Sequence, residues 1–180
     1  MFKLILLPIL IVFSSSTKTK FTHLEDVILK AKNNSSYLKE TKHCHVGNEK
    51  IKKQLESLII GKMTNRQKAE KIFLFVRDKI EDEFYSDTKY GSIVTLERKK
   101  GNCVDKSHLL NALLRTVGIP ARYKVGNVRF FKSGYSDHAW CYANIDGKWK
   151  DLDASSKMNT FNKIKGWTDC KKYEIFNEIE

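Results

Sequence analysis

At Pro120 the apolar residues of this chain change period, and no other feature limits its fold as much. Upstream, Leu109, Leu110, Leu113, Leu114 and Val117 recur at the spacing of one helix face, and Gly118 and Pro120 close the run. Asn102 stands where an N-cap belongs, with Asp105 at the third helical position. Downstream, Arg122 to Val125 and Val128 to Phe131 read as extended segments, and Ser133-Gly134 reads as a turn. His138 to Ile145 and Lys148 to Asp153 are rich in aromatic and β-forming residues, and Asp146-Gly147 between them is a strong two-residue hairpin signal. Other helices precede the Cys103 run. Thr22 with Glu25 forms a capping box ahead of Leu24, Val27, Ile28 and Ala31. Asn48 can cap a helix carrying Ile51, Leu55, Leu58 and Ile59, which Gly61 stops. Thr64 with Gln67 forms a further box for a long helix to about Ile80. Residues 82–100 read as polar and irregular. Helices first and antiparallel strands afterwards make an α+β fold, and 180 residues suffice for one core.

Cys103 falls in the first turn of its helix, where unpaired N–H groups and the helix dipole stabilise a thiolate. Ser107, Leu110, Leu114 and Val117 follow it at alternating steps of four and three. The sulfur therefore continues a mostly apolar stripe and is expected to face the sheet. An ordinary core cysteine is the plain alternative, but such a residue rarely sits directly behind Gly-Asn at a helix start.

The hairpin supplies a geometric test. With a two-residue loop at Asp146-Gly147, Ile145 pairs with Lys148, Trp140 falls opposite Asp153, and His138 falls opposite Ser155. Alternation puts these last four side chains on one face. His138 and Asp153 then become diagonal neighbours, roughly 7–8 Å apart at the backbone. Asp151 is a further pair away, Asp146 is in the turn, and Asp137 points to the other side. Asp153 is thus the acid expected to reach the imidazole. The three side chains suit covalent catalysis: Cys103 attacks a carbonyl carbon, His138 takes the thiol proton and later protonates the leaving amine, and Asp153 fixes the imidazole. The Cys103 N–H is one candidate oxyanion donor, and a Tyr or backbone N–H from residues 85–92 is the other. Asn102, Tyr90 and Trp140 are the candidate substrate-binding or oxyanion residues.

Gly101-Asn102-Cys103-Val104-Asp105, with Leu109 to Leu114 and Gly118-Ile119-Pro120-Ala121-Arg122-Tyr123, resembles the cysteine segment of the transglutaminase-like superfamily. Asp137-His138-Ala139-Trp140 resembles its histidine strand, and Gly147-Lys148-Trp149 through Asp153-Ala154-Ser155 its aspartate strand. Within the superfamily, Tyr37-Leu38 with Cys44, Lys68 to Phe73, Val76-Arg77-Asp78, Tyr90-Gly91, Thr95-Leu96 and Ser133-Gly134 resemble the archaeal pseudomurein endoisopeptidases. The likeness runs over roughly residues 35–167. Asp137 stands where that branch is expected to carry a small residue. The resemblance implies a papain/transglutaminase-like core with Cys103, His138 and Asp153 as catalytic triad. It also implies a cysteine hydrolase that needs no cofactor and cleaves an alanine–lysine isopeptide bond of pseudomurein cross-links. A protease or protein cross-linker with another amide substrate, and a non-catalytic cell-surface binding protein of the same fold, are the alternatives.

Charge and the N-terminus bear on partners. The chain holds 33 Lys and Arg against 21 Asp and Glu, a net +12, which suits an anionic wall polymer. The basic residues are spread along the chain without a nucleic-acid motif, so nucleic acid is not an expected partner. The expected partner is a cell-wall peptide or protein substrate, acted on by a monomer. Lys3, the apolar Leu4 to Phe13 and Ser14-Ser15-Ser16 read as a signal peptide over 1–16, with a buried N-terminal element as the alternative. An extension over 17–34 and a catalytic domain over 35–180 follow, and a secreted or cell-surface location goes with them. His43-Cys44-His45 suggests a metal cluster, but adjacent residues rarely ligate one ion and no second pair is suitably spaced, so no metal ligand is assigned. If Cys103 stays free, at most one disulfide can join two of Cys44, Cys141 and Cys170.

Overall fold

The structure, a computed structural model, describes residues 36–180. The expected signal segment, the extension and the Thr22–Glu25 capping box lie outside the described residues. A 3-10 turn, Ser36–Leu38, leads into helices α1 (Glu49–Leu58) and α2 (Asn65–Lys79). Then come strand β1 (Glu81–Asp82), helix α3 (Gly91–Arg98), strand β2 (Lys100–Gly101) and helix α4 (Cys103–Thr116). The chain ends in strands β3 (Ala121–Phe130), β4 (Gly134–Ile145), β5 (Lys148–Leu152) and β6 (Trp167–Phe176). The last four form one antiparallel sheet in the order β5-β4-β3-β6, and β1 and β2 pair in parallel. Among the described residues no helix is long and apolar enough to cross a membrane.

The helix starts follow from their caps. Asn48 Oδ1 accepts from the Lys50 N–H at 2.9 Å. Thr64 and Gln67 bond reciprocally, with Gln67 N–H to Thr64 Oγ1 at 3.3 Å and Thr64 N–H to Gln67 Oε1 at 2.9 Å. Asn102 Oδ1 accepts from the Asp105 N–H at 2.9 Å. Each such cap satisfies an orphan donor and stabilises its helix by about 1 kcal/mol. The hairpin also forms as its sequence dictates. Asp146 and Gly147 both have positive φ, 52° and 83°, as a tight primed turn requires, and Ile145 pairs with Lys148.

Four features differ from the sequence expectation. Residues 82–100 are not irregular throughout, because α3 occupies Gly91–Arg98 and the segment is bracketed by β1 and β2. The buried face of α3 is Gly91, Ser92, Thr95 and Leu96, so helical spacing is present but small polar residues conceal it. The two extended segments around residues 122–131 are one strand, β3, which runs through Gly126. A Cβ at Gly126 would lie 2.6 Å from the Lys172 carbonyl oxygen, so glycine admits β6 at that edge. Strand β6 itself has no counterpart in the sequence reading, since its last six residues are all exposed and present no buried apolar face.

The fourth difference concerns α4. Every residue from Asp105 to Arg115 is buried, so the helix is not an amphipathic surface helix but the central rod of the protein. Helices α1, α2 and α3 and strands β3 and β4 all pack against it. Leu109, Leu113 and Leu114 are fully enclosed. Its buried polar residues each find partners. Lys106 pairs with Asp82. Asn111 Oδ1 accepts from the Cys141 thiol at 2.8 Å. Arg115 donates to the carbonyls of Lys39, Ala121 and Asn177, tying both ends of the domain to one guanidinium. His108 contacts Tyr123 Oη at 3.0 Å and Thr88 Oγ1 at 2.9 Å. Burial, with His43 and Arg115 nearby, pushes its imidazole down to about 3, so it is neutral near pH 7.

Candidate active site

The Asn102 cap fixes where α4 begins and therefore where Cys103 projects. Asp105, one turn in, holds the opposite wall. Its buried carboxylate accepts from Tyr85 Oη at 2.5 Å and from the N–H groups of Lys89, Tyr90 and Gly91 at 3.2, 3.1 and 2.7 Å. One side chain thus binds the 85–91 segment to the helix start. Asp105→Ala leaves those three amides without an acceptor, and we expect a loss of about 2–4 kcal/mol in unfolding free energy by urea titration.

His138 is on β4 and 5% exposed; Asp153 follows the end of β5 and is 2% exposed. The ladder between β4 and β5 stops at Cys141 and Leu152, one pair before Trp140 would meet Asp153. Beyond it, Asn159, fully buried, donates from Nδ2 to the Asp153 carbonyl at 2.9 Å, so that oxygen is bonded outside the sheet. The side chains still meet. His138 Nε2 lies 3.0 Å from Asp153 Oδ2. With Nε2 engaged, Nδ1 is the nitrogen left to serve Cys103, whose thiol is influenced by the His138 imidazole and the Ala139 N–H. The imidazole is flanked by Phe130, edge-on with centroids 5.3 Å apart, and by Trp140, stacked at 6.0 Å.

The charges follow from this packing. Burial opposes a charge on Cys103, but the hydrogen bond and charge of His138 and the Ala139 N–H outweigh it and lower the thiol below its ordinary 9.0. Burial likewise opposes imidazolium, yet the Asp153 charge and hydrogen bond raise His138 from 6.5 to about 10. Asp153 is held well below the usual carboxylate range: burial opposes its charge, and His138 and Ser155 overcome that. Both shifts favour a thiolate–imidazolium pair over the neutral one. We expect alkylation of Cys103 by iodoacetamide to show an inflection below pH 9, and His138→Ala to move it upward; stopped-flow rates across pH check both. Cys44, Cys141 and Cys170 are raised by burial instead. All four thiols are free.

A cleft of about 720 Å³ opens over the sulfur. It runs between the 82–87 segment with Asn102, Cys103 and Val104 on one side, and Val125, Phe130, Ser133 and residues 136–139 on the other. The other candidates from the sequence sit as follows. The Asn102 amide is committed to the helix cap and, through Nδ2, to the carbonyls of Tyr85 and Asp87 at 3.1 and 2.8 Å. Tyr90 packs edge-on against Tyr85, and its hydroxyl is 3.4 Å from Glu83 Oε1. Trp140 lies behind the imidazole and donates from Nε1 to Asp151 Oδ1 at 2.8 Å. The N–H of Cys103, in the first helical turn, has no intrahelical acceptor and is the donor nearest the sulfur by chain connection. His43, Cys44 and His45 turn to three different partners, namely His108, Tyr123 and Ser92. Two residues that touch the Asp153 carboxylate, Ser155 and Trp167, had no role assigned from sequence; His138's register partner Ser155 was the one legible clue.

Comparison with known proteins agrees with this architecture. Among solved structures, a protein named as a candidate cysteine protease from Cytophaga hutchinsonii superposes with a TM-score of 0.59 at 22% identity, over 82% of this chain and 52% of that one. The periplasmic domain of TgpA from Pseudomonas aeruginosa superposes with a TM-score of 0.53 at 15% identity, over 69% of this chain and 47% of that one. The chain thus spans about half the length of these structures, and at such identities the likeness is one of fold. No curated protein matches the sequence. The family model of the transglutaminase-like superfamily matches residues 52–154, from α1 through the Cys103 helix and the His138 strand to Asp153. By that match and by its papain/transglutaminase-like α+β core, this chain belongs to the transglutaminase-like superfamily.

Proposed function

We propose that this protein is a cysteine-dependent amide hydrolase, and that its substrate is a lysine-bearing isopeptide cross-link of an archaeal pseudomurein wall. The observation that carries the reading is the His138–Asp153 pair beside Cys103 in one open cleft, with the thiol lowered and the imidazole raised. The chemistry balances as follows. The Cys103 thiolate attacks the carbonyl carbon, and the helix-start N–H stabilises the oxyanion. The C–N bond breaks as His138 gives its proton to the leaving nitrogen. A thioester remains on Cys103. Water attacks it, His138 takes a proton from that water, and the acid departs with the thiolate restored. Asp153 keeps the imidazole oriented throughout.

Charge supports the substrate class. The chain carries +12 overall, yet the cleft lining includes Asp82, Glu83, Asp87, Asp137 and Glu180 and, among the described residues, no Lys or Arg. A peptide with free or leaving amines suits that lining. The same carboxylates would also suit a lysine acceptor, which favours a cross-linker as the second reading, since thioester formation is common to both. The 1–16 segment, read as a signal peptide, fits action at the cell surface.

The test is digestion of purified pseudomurein walls with mass analysis of the fragments. The proposed reaction releases free amines and uncross-linked peptides. New cross-links instead of released amine would favour transfer, and intact walls alongside cleavage of other lysine isopeptides would move the substrate elsewhere.

A further inference from the structure

The Asp153 carboxylate is more heavily bonded than orientation of one imidazole requires. Oδ2 faces His138 Nε2 at 3.0 Å and accepts from Trp167 Nε1 at 2.9 Å. Oδ1 accepts from the Ser155 N–H at 3.0 Å and from Ser155 Oγ at 2.5 Å. A carboxylate offers about four lone-pair sites, so all of them are filled. Trp167 is not there by accident of sequence proximity. It opens β6, beyond the 52–154 family segment, and is delivered by a pinned loop. Asn159 Oδ1 accepts from the N–H groups of Lys165 and Gly166, both at 2.7 Å, while its Nδ2 holds the Asp153 carbonyl. Gly166 is needed in this loop, because a Cβ there would lie 2.9 Å from Ser156 Cβ. The indole then packs against Trp140 at 5.4 Å, and Trp140 stacks on His138.

We propose that Trp167 is a positioning residue for the reaction, its indole N–H setting the orientation and basicity of the Asp153 carboxylate and, through it, the readiness of His138 to release its proton. This rests on the proposed cysteine hydrolysis. The physical reason is competition for one oxygen. An acceptor that serves a second donor carries less charge toward the first, so it binds imidazolium less tightly. Without the indole N–H, Oδ2 serves the imidazole alone and is more basic. His138 then holds its proton more firmly, and protonation of the leaving nitrogen slows. The charged groups facing this pair are few. Cys103 comes from α4, while Asp151 is engaged by Trp140 and Lys124, and Asp137 by Asn127.

The test replaces Trp167 with 3-benzothienylalanine, which keeps the bicyclic shape and exchanges the N–H for sulfur; Trp167→Phe and Ser155→Ala accompany it. The readouts are the titration of a 13C-labelled His138 imidazole by NMR and the pH profile of kcat and KM. The expected result is a His138 titration and an alkaline limb of kcat/KM that both move up by about 0.5–1 pH unit. The same variant should lose about tenfold in kcat with KM within about twofold. Ser155→Ala, which frees Oδ1 and also removes the Ser155 Oγ contact to His138 Nε2 at 3.3 Å, moves the titration in the same direction. An unmoved imidazole titration overturns the proposal, whether or not kcat falls. Loss of the fold in the isosteric variant also overturns it, because the N–H would then serve stability alone. If the wild-type protein cleaves no amide at all, the functional reading fails, and the NMR titration still decides the role of Trp167.

Discussion

Cys103→Ala is expected to lower kcat/KM for amide cleavage by about 10⁴-fold or more, with the protein still folded. The loss is this large because nucleophile and base act as a unit, and removing either leaves only binding and oxyanion stabilisation. The fold should tolerate the change. Cys103 starts α4, but the cap that starts the helix is Asn102, and the wall opposite is held by Asp105. Deleting the thiol also removes a sulfur whose charge is opposed by burial, so melting temperature should stay the same or rise slightly. Steady-state kinetics on a lysine isopeptide, with calorimetry on the same samples, checks both parts. Unchanged cleavage by the variant would remove Cys103 from the mechanism.

Asp153→Ala is expected to damage both activity and stability. It leaves His138 without its anion and leaves Trp167 Nε1 and the Ser155 donors without an acceptor. Activity should fall by about 10³–10⁴-fold, because the imidazole loses its tautomer and its orientation. Stability near pH 7 should fall by about 3–5 kcal/mol, the range for breaking a buried ion pair on one side. The pH dependence has a definite sign. His138 is raised to about 10 in the fold, so its contribution is fully present below pH 6.5 and is lost as pH rises through about 10. Asp153 is lowered, so its contribution is present above pH 3.8 and is lost as pH falls through its folded value. The difference between wild type and variant should therefore be widest between about pH 4 and 6.5 and should shrink toward pH 10. Urea unfolding at several pH values measures it. A difference that does not vary with pH would mean that the pair is not charged in the fold.

The remaining acidic residues around the cleft show how charge and burial divide the work. Asp105 and Asp153 are enclosed and spend their oxygens on protein donors. Asp137 lines the cleft and has the single side-chain donor Asn127 Nδ2 at 3.0 Å among the described residues. It adjoins His138 in sequence but stands on the opposite face of β4, which is why Asp153 rather than the nearer acid meets the imidazole.

Much of the candidate site's neighbourhood was determined by the sequence itself, because its signals are local. The caps at Asn48, Thr64 and Asn102 act within a single turn, and the Asp146-Gly147 turn sets strand register from two residues with positive φ. Given that register, alternation alone puts His138 and Asp153 within reach, even though the ladder ends at Leu152. Only the tertiary structure decided which polar residues of α4 are buried, that Ser92 and Thr95 form the inner face of a helix, and that β6 returns to pair with β3. It likewise decided that Trp167 completes the shell of Asp153. The reason is range: Asp105, Asn159 and Trp167 take their meaning from partners far enough along the chain that neither periodicity nor capping registers them. A buried polar side chain looks like a surface one until its partner is brought to it.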